Sequence, residues 1–316
     1  DDMHRISSTQ SPEWDWLDCP FVFILGASRS GTTWLQSLLN EHPDIYTRPE
    51  LKLFTHYLRP WFDAWQFDED DPAPHGLPSV WSRQQFDNYL KNFLRQVYRE
   101  VIEEPKPNTI LLSKIPQANE IEIIEYLIPK PKYVHVIRDG RDVAASLLEA
   151  SDSWGQSWSP RTITAAAQWW RSGLGAARVA KQYEAEGRYL EIRYEDLKSD
   201  GQSTLSRVRD FLGFDPDRYD VEQVLERNRI DKMKKNEQFL DTAALPDGFI
   251  RTGRSGSGSE DWSAKQKYDF HRVAGYLLCE LGYAQPSWYA KHAYEKLTLP
   301  LGFKLSRRNL IEKLSR

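Results

Sequence analysis

Phe21-Val22-Phe23-Ile24-Leu25-Gly26-Ala27-Ser28-Arg29-Ser30-Gly31-Thr32-Thr33-Trp34-Leu35 decides the fold. Its first five residues form a continuous apolar run, as expected of a strand buried on both faces of a parallel sheet. Gly26 and Gly31 then stand at the spacing of a phosphate-cradling loop. Beyond them Trp34, Leu35, Leu38 and Leu39 share one stripe of a helix. Strand, glycine loop and helix in that order make an anion site, because backbone N–H groups and a helix N-terminus aim at phosphate oxygens. Taken alone, the same pattern also describes a tight strand-to-helix turn. A nucleoside-triphosphate loop carries Lys followed by Ser or Thr, whereas position 32 is Thr. The loop suits an anion better than it suits Mg·ATP, and its cation, Arg29, sits inside it.

Further strands are expected at 109–112, 133–137 and 189–193, with helices over 82–103, 118–128, 143–149 and 161–186. Ser82 and Gln85 have the spacing of a capping box at the head of the first of these helices. Strands alternating with helices predict a three-layer α/β fold with a mainly parallel central sheet. Two stretches break the alternation. Residues 55–81 carry Trp61, Trp65, Trp81 and the acid run 68–71, and residues 248–259 are rich in Gly and Ser. The expected organisation is a loose arm over 1–17, one domain over 18–290 with 55–81 as an insert, and a basic helical tail over 291–316.

Lys+Arg number 42 against 46 Asp+Glu, a net charge of -4, which excludes a globally basic nucleic-acid binder. Twelve Trp imply stacking surfaces or a large aromatic core. Cys19 and Cys279 alone cannot build a disulfide framework or a four-cysteine zinc site. The acid run reads as a solvated loop rather than a calcium site. No apolar stretch reaches membrane-spanning length and no signal peptide is visible, so a soluble cytoplasmic protein is expected. The basic tail reads as a docked or solvated helix before a membrane contact.

At Arg29-Ser30-Gly31-Thr32-Thr33-Trp34-Leu35 the sequence resembles the sulfotransferases that use 3′-phosphoadenosine 5′-phosphosulfate (PAPS), whose 5′-phosphosulfate loop has Lys or Arg before Ser-Gly-Thr-Thr. That donor has no γ-phosphate, so the missing lysine makes physical sense. Arg138-Asp139-Gly140-Arg141-Asp142, with Ser146 on the following helix, resembles the family's 3′-phosphate motif. Arg grips a phosphate through two parallel N–H bonds, although alone this stretch reads as a turn with local ion pairs. Tyr194-Glu195-Asp196 resembles the strand end whose tyrosine lines the nucleotide site. Residues 228–236 are similar to the adenine-side segment, with Met233 matching and Asn228 and Ile230 approximate. Arg251-Thr252-Gly253, with Trp262 beyond, resembles the late loop that closes on the 3′-phosphate, though Gly256-Ser257-Gly258-Ser259 departs from the family pattern. The resemblance implies that Arg29, Lys114, Arg138, Arg141 and Arg251 converge on one polyanionic nucleotide.

Sulfuryl transfer to a hydroxyl needs a base for the proton and cations for charge on the departing phosphate. The cytosolic branch places a His two residues after a Lys. Here Ser113-Lys114-Ile115-Pro116 has no His. That pattern resembles the carbohydrate and tyrosylprotein branches, whose base is a Glu after the first helix. Glu50 is the matching residue and His56 the second candidate. Burial of Glu50 beside the acceptor, away from Lys114, would raise its pKa usefully. Lys114 is expected at the bridging oxygen or sulfonate, and Arg29, Thr32 and Thr33 at the 5′-phosphate. The implied reaction gives 3′,5′-ADP (PAP) and requires no metal. The expected acceptor is a hydroxyl compound, a small molecule or carbohydrate ahead of a protein, and residues 55–81 are expected as its wall or lid or as a flap on the core. A P-loop-like kinase or nucleotide hydrolase, or a non-catalytic nucleotide-binding protein, is the alternative, and the oligomeric state stays open.

Overall fold

Five strands, β1 (Phe21–Gly26), β2 (Ile45–Thr47), β3 (Ile110–Pro116), β4 (Lys132–Ile137) and β5 (Tyr189–Arg193), form one parallel sheet in the order β2-β3-β1-β4-β5. The computed structural model describes residues 16–48, 50–73, 75–102, 108–116, 119–233, 238–239, 242–243, 246, 249, 256 and 258–289. β1 is central and wholly buried. Its side chains alternate: Phe21, Phe23 and Leu25 enter one apolar layer, and Val22 and Ile24 the other. Full burial of a ring such as Phe23 contributes about 1.5–3 kcal/mol.

The helices are α1 (Thr32–Asn40), α2 (Arg59–Glu69), α3 (Arg83–Val101), α4 (Ile121–Leu127), α5 (Gly140–Ser151), α6 (Ile163–Arg178), α7 (Tyr194–Ser199), α8 (Gly201–Leu212), α9 (Val221–Arg227), α10 (Ile230–Met233) and α11 (Ala264–Glu280). Residues of α2, α3 and α4 pack on the Phe21–Phe23 face, and those of α1, α8 and α9 on the Val22–Ile24 face. A third apolar cluster joins α5, α6 and α11. Helices on both faces give the three layers, and the carboxyl ends of β1, β3 and β4 share one edge of the sheet, where open α/β folds bind ligands.

Three differences from the sequence reading matter for the site. β2 carries no apolar run, being a three-residue edge strand with two half-buried side chains. β3 runs on to Pro116 and so includes Lys114. The helix expected over 161–186 ends at Arg178 and continues as a 3-10 helix, Val179–Glu186. The Ser82–Gln85 capping box is formed. Leu17, assigned to the arm, is buried in the core, while residues 1–15 and the basic tail lie outside the described residues. Among the described residues no helix is long and apolar enough to cross a membrane.

Candidate active site

Where β1 ends, the chain turns so that Ser30 N donates to Ala27 O at 3.0 Å, and α1 starts at Thr32. Gly31 caps the helix at φ 97°, with no side-chain cap over the first amides. Those amides and the helix dipole are left to attract an anion. Only glycine fits at 31, because a Cβ there would stand 2.4 Å from Cδ2 of Tyr194. The anion loop and the β5–α7 junction are thereby interlocked. Arg29 also has a left-handed backbone, φ 75°, which is a strained conformation for a non-glycine residue. Its Nε donates to Ser146 Oγ at 3.0 Å and its Nη2 to Phe249 O, and the guanidinium lies against both the Trp154 and Phe249 rings, which also touch each other.

Arg138 leaves the end of β4, donates from Nη1 to Arg29 O at 3.0 Å, and lies 4.2 Å over the Tyr194 ring. Its Nε is buried with no hydrogen-bond partner among the described residues. A buried guanidinium N–H without a partner is costly, and an anion would satisfy it. Glu195 braces this corner, accepting from the Asp139 amide at 3.1 Å and from the Tyr283 hydroxyl at 3.0 Å.

On the other side of β1, Lys114 Nζ donates to Thr33 Oγ1 at 2.9 Å and lies 2.9 Å from Glu50 Oε1. Glu50 is therefore ion-paired with Lys114, whereas the sequence left open whether it stands away from that lysine. The missed strand β2 brings this about. The fully buried Gln36 of α1 donates from Nε2 to Thr47 Oγ1 at 2.8 Å and to Arg48 O at 2.9 Å, fixing the chain that leads to Glu50. Beyond Glu50 the π-helical turn Leu53–Leu58 presents Thr55 and His56.

These groups line one cavity of about 550 Å³. Among the sequence-predicted residues, Arg29, Gly31, Thr32, Thr33, Trp34, Glu50, His56, Lys114, Arg138, Ser146, Tyr194 and Met233 all line it. Ser30 is buried within the loop instead. The Asn228 side chain turns away, donating to Glu41 Oε1 and Val224 O, and its contribution is the carbonyl that accepts from Trp34 Nε1 at 2.9 Å. Arg141 does not converge on the cavity: its guanidinium is held by Asp139 and the Tyr283 carbonyl and lies over the Trp288 ring. Arg251, Thr252 and Gly253 lie outside the described residues.

Trp61, Trp65 and Trp81 of segment 55–81 do not line the cavity either. Trp65 stacks on Phe86 at 4.3 Å, Trp81 on Tyr89 at 4.5 Å, and Trp61 tilts against Phe93, so all three pack on α3. The cavity's aromatic wall comes from Trp154, Trp158, Trp169 and Phe249, and Tyr98 and Phe54 also line it. Sequence reasoning missed this wall, although the i, i+4 spacing of Trp154 and Trp158 beside the Ser146 helix was a usable signal. Burial pushes the Tyr98 phenol up to about 12, with a hydrogen bond to Ser113 working against it. Tyr98 is thus a neutral wall. Among the described residues no cluster of His, Cys, Asp or Glu could hold a metal ion.

The fold is similar to that of mouse sulfotransferase SULT7A1 solved in complex with PAP: TM-score 0.54, 16% identity, covering 84% of this chain and 89% of that one. The sulfotransferase domain from the curacin biosynthetic pathway gives a TM-score of 0.51 at 20% identity, covering 85% and 99%. In sequence the chain is 22% identical to protein-tyrosine sulfotransferase A of Caenorhabditis elegans over 218 residues, 66% of this chain and 54% of that protein. To human protein-tyrosine sulfotransferase 1 it is 26% identical over 132 residues, 42% and 34% of the two chains. The chain thus spans about half, or less, of the length of these relatives. Residues 20–218, from the first residue before β1 to beyond α8, match the model of the family described as the sulfotransferase family, and the chain belongs to that family.

Proposed function

We propose that this chain transfers a sulfuryl group from PAPS to an acceptor hydroxyl and releases 3′,5′-ADP. The observation that carries this reading is the position of Lys114. One ammonium stands 2.9 Å from Thr33 Oγ1 at the head of the anion loop and 2.9 Å from Glu50 Oε1. It thereby links the leaving-group side of the cavity to the carboxylate suited to take a proton.

The residues present fit such a donor. An uncapped helix start, the unpartnered Arg138 Nε and the Arg29–Ser146 pair offer charge-assisted donors. Arg29, Thr32 and Thr33 hold the 5′-phosphate, Arg138 and Ser146 hold the 3′-phosphate, and Trp34, Tyr194 and Met233 flank the base. Arg251, Thr252 and Gly253 carry their roles by resemblance alone. When bound, the donor supplies a sulfur whose bond to the 5′-phosphate oxygen breaks as the acceptor oxygen bonds to it. Glu50 takes the hydroxyl proton. Lys114 donates to the departing oxygen, a preorganised stabilisation of developing charge.

Much of the cavity wall is aromatic, and a phenolic ring suits Trp154, Trp158, Trp169 and Tyr98. The names of the curated relatives likewise favour a tyrosyl hydroxyl over the small molecule or carbohydrate expected from sequence. Mg·ATP chemistry lacks support, since a buried Thr32 stands where a triphosphate loop has lysine. Thermal melting tests the donor reading. Ligand-linked stabilisation should appear with 3′,5′-ADP in EDTA, and stabilisation by Mg·ATP alone would contradict it.

A further inference from the structure

We infer that Asp142 is a positioning residue that clamps the backbone amides of Gly256 and Gly258 beside Arg138 and so sets the site's preference for a 3′-phosphorylated nucleotide. This rests on the donor reading above.

Asp142 and Ser146 lie four residues apart on one face of α5, and Arg138 stands two residues before the helix starts, at the end of β4. Arg138 and Ser146 line the cavity, whereas Asp142, between them, does not. Its carboxylate is buried, and each oxygen accepts a backbone amide. Oδ2 accepts from Gly256 N and Oδ1 from Gly258 N, both at 2.8 Å, and Arg138 Nη2 lies 3.9 Å from Oδ2. One side chain therefore ties a segment more than a hundred positions away to the guanidinium assigned to the 3′-phosphate.

The partner segment is built for this approach. A Cβ at Gly258 would stand 2.6 Å from Arg141 O and Asp142 Cα, so only glycine lets the amide reach the carboxylate. The Gly/Ser stretch that departs from the family pattern is thus the part that seats on α5. Phe249, earlier in the same segment, lines the cavity and accepts from Arg29 through its carbonyl. Asp142 holds one end of a span whose other end meets the anion loop. An acid in the first turn of a helix also favours the helix dipole. That contribution bears on stability alone and has no bearing on which nucleotide is bound.

Calorimetric titration of the full chain with 3′,5′-ADP and with 5′-AMP separates the two roles. Asp142→Asn removes one acceptor, and Gly258→Ala displaces the backbone while leaving the carboxylate intact. Each should weaken 3′,5′-ADP binding by about tenfold or more, as expected for lost charge-assisted bonds. Binding of 5′-AMP should change by less than about twofold. If Asp142→Asn does not fold, Gly258→Ala carries the test from the opposite partner. Equal loss for both nucleotides, or an unchanged preference, would overturn the clamp. A wild-type protein with no preference for 3′,5′-ADP would overturn the donor reading together with the clamp, which distinguishes the two failures.

Discussion

Lys114 Nζ stands 2.9 Å from Glu50 Oε1, and the same nitrogen donates to Thr33 Oγ1 at 2.9 Å. The ammonium side chain is 9% exposed and the carboxylate 29%, so the carboxylate is the member open to an incoming hydroxyl. Lys114 has three N–H donors, and two are used here, leaving one for a departing oxygen. Replacing it by Met removes that donor and releases Glu50 from its partner. Lys114→Met should lower kcat by about 10²–10³ in steady-state transfer, the range for losing one preorganised donor.

Gln36 controls the same carboxylate from a distance. Its buried amide holds Thr47 and the Arg48 carbonyl, and with them the path into Glu50. Gln36→Leu leaves the buried Thr47 hydroxyl without that donor, at a cost of about 1–3 kcal/mol in stability. The expected signature is a fall in kcat of about tenfold, with 3′,5′-ADP affinity almost unchanged, because a displacement of about 1 Å is enough to spoil alignment. Equal losses in kcat and nucleotide affinity would show that Gln36 serves the loop as well.

Arg138 bears on nucleotide binding instead. Arg138→Met keeps an apolar stem and removes the guanidinium that lies over Tyr194. The dissociation constant for 3′,5′-ADP should rise by about tenfold to a hundredfold, corresponding to 1.5–3 kcal/mol of charge-assisted bonding. Titration calorimetry reads this directly.

Acid should loosen the fold through three histidines whose pKa burial lowers, His42, His135 and His271. For His42 burial is opposed by Asp44 and assisted by Arg218, with Asp215 also facing it. Nδ1 of His42 and of His271 accepts a hydrogen bond, from Asp44 N at 3.2 Å and from Trp288 Nε1 at 3.1 Å, so these two rings are held neutral at that nitrogen. The unfolded chain takes up these protons near pH 6.5 and the folded chain only at lower pH. Their stability is therefore present above about pH 6.5 and is lost as pH falls below it. The melting temperature should decline between about pH 6.5 and 5.5, and His271→Gln should flatten that decline.

The anion loop and the central strand were legible because a wholly buried parallel strand must be apolar throughout, and Phe21–Leu25 is. Lys114 and Glu50 were legible as residues, but their contact was not. It depends on β2, which has too short and too exposed a register to leave an apolar pattern, and on the amide of Gln36. Arg141 was misassigned because spacing along Arg138–Asp142 cannot tell which guanidinium faces the cavity; Asp139 and Tyr283 turn it away. In sequence, residues 55–81 read either as an acceptor wall or lid or as a flap on the core. Trp61, Trp65 and Trp81 pack as a flap because α3 offers them a stacking surface in Phe86, Tyr89 and Phe93.

The most direct measurement is transfer of labelled sulfur from PAPS to a tyrosine-containing peptide in EDTA, comparing the wild-type chain with Glu50→Gln. Transfer by the wild type should fall by about 10²–10⁴ in the variant, the range for losing a general base, with 3′,5′-ADP binding retained. Undiminished transfer by Glu50→Gln would contradict the assignment of the base, and the absence of transfer by the wild type to any hydroxyl acceptor, phenolic or otherwise, would contradict the proposed reaction.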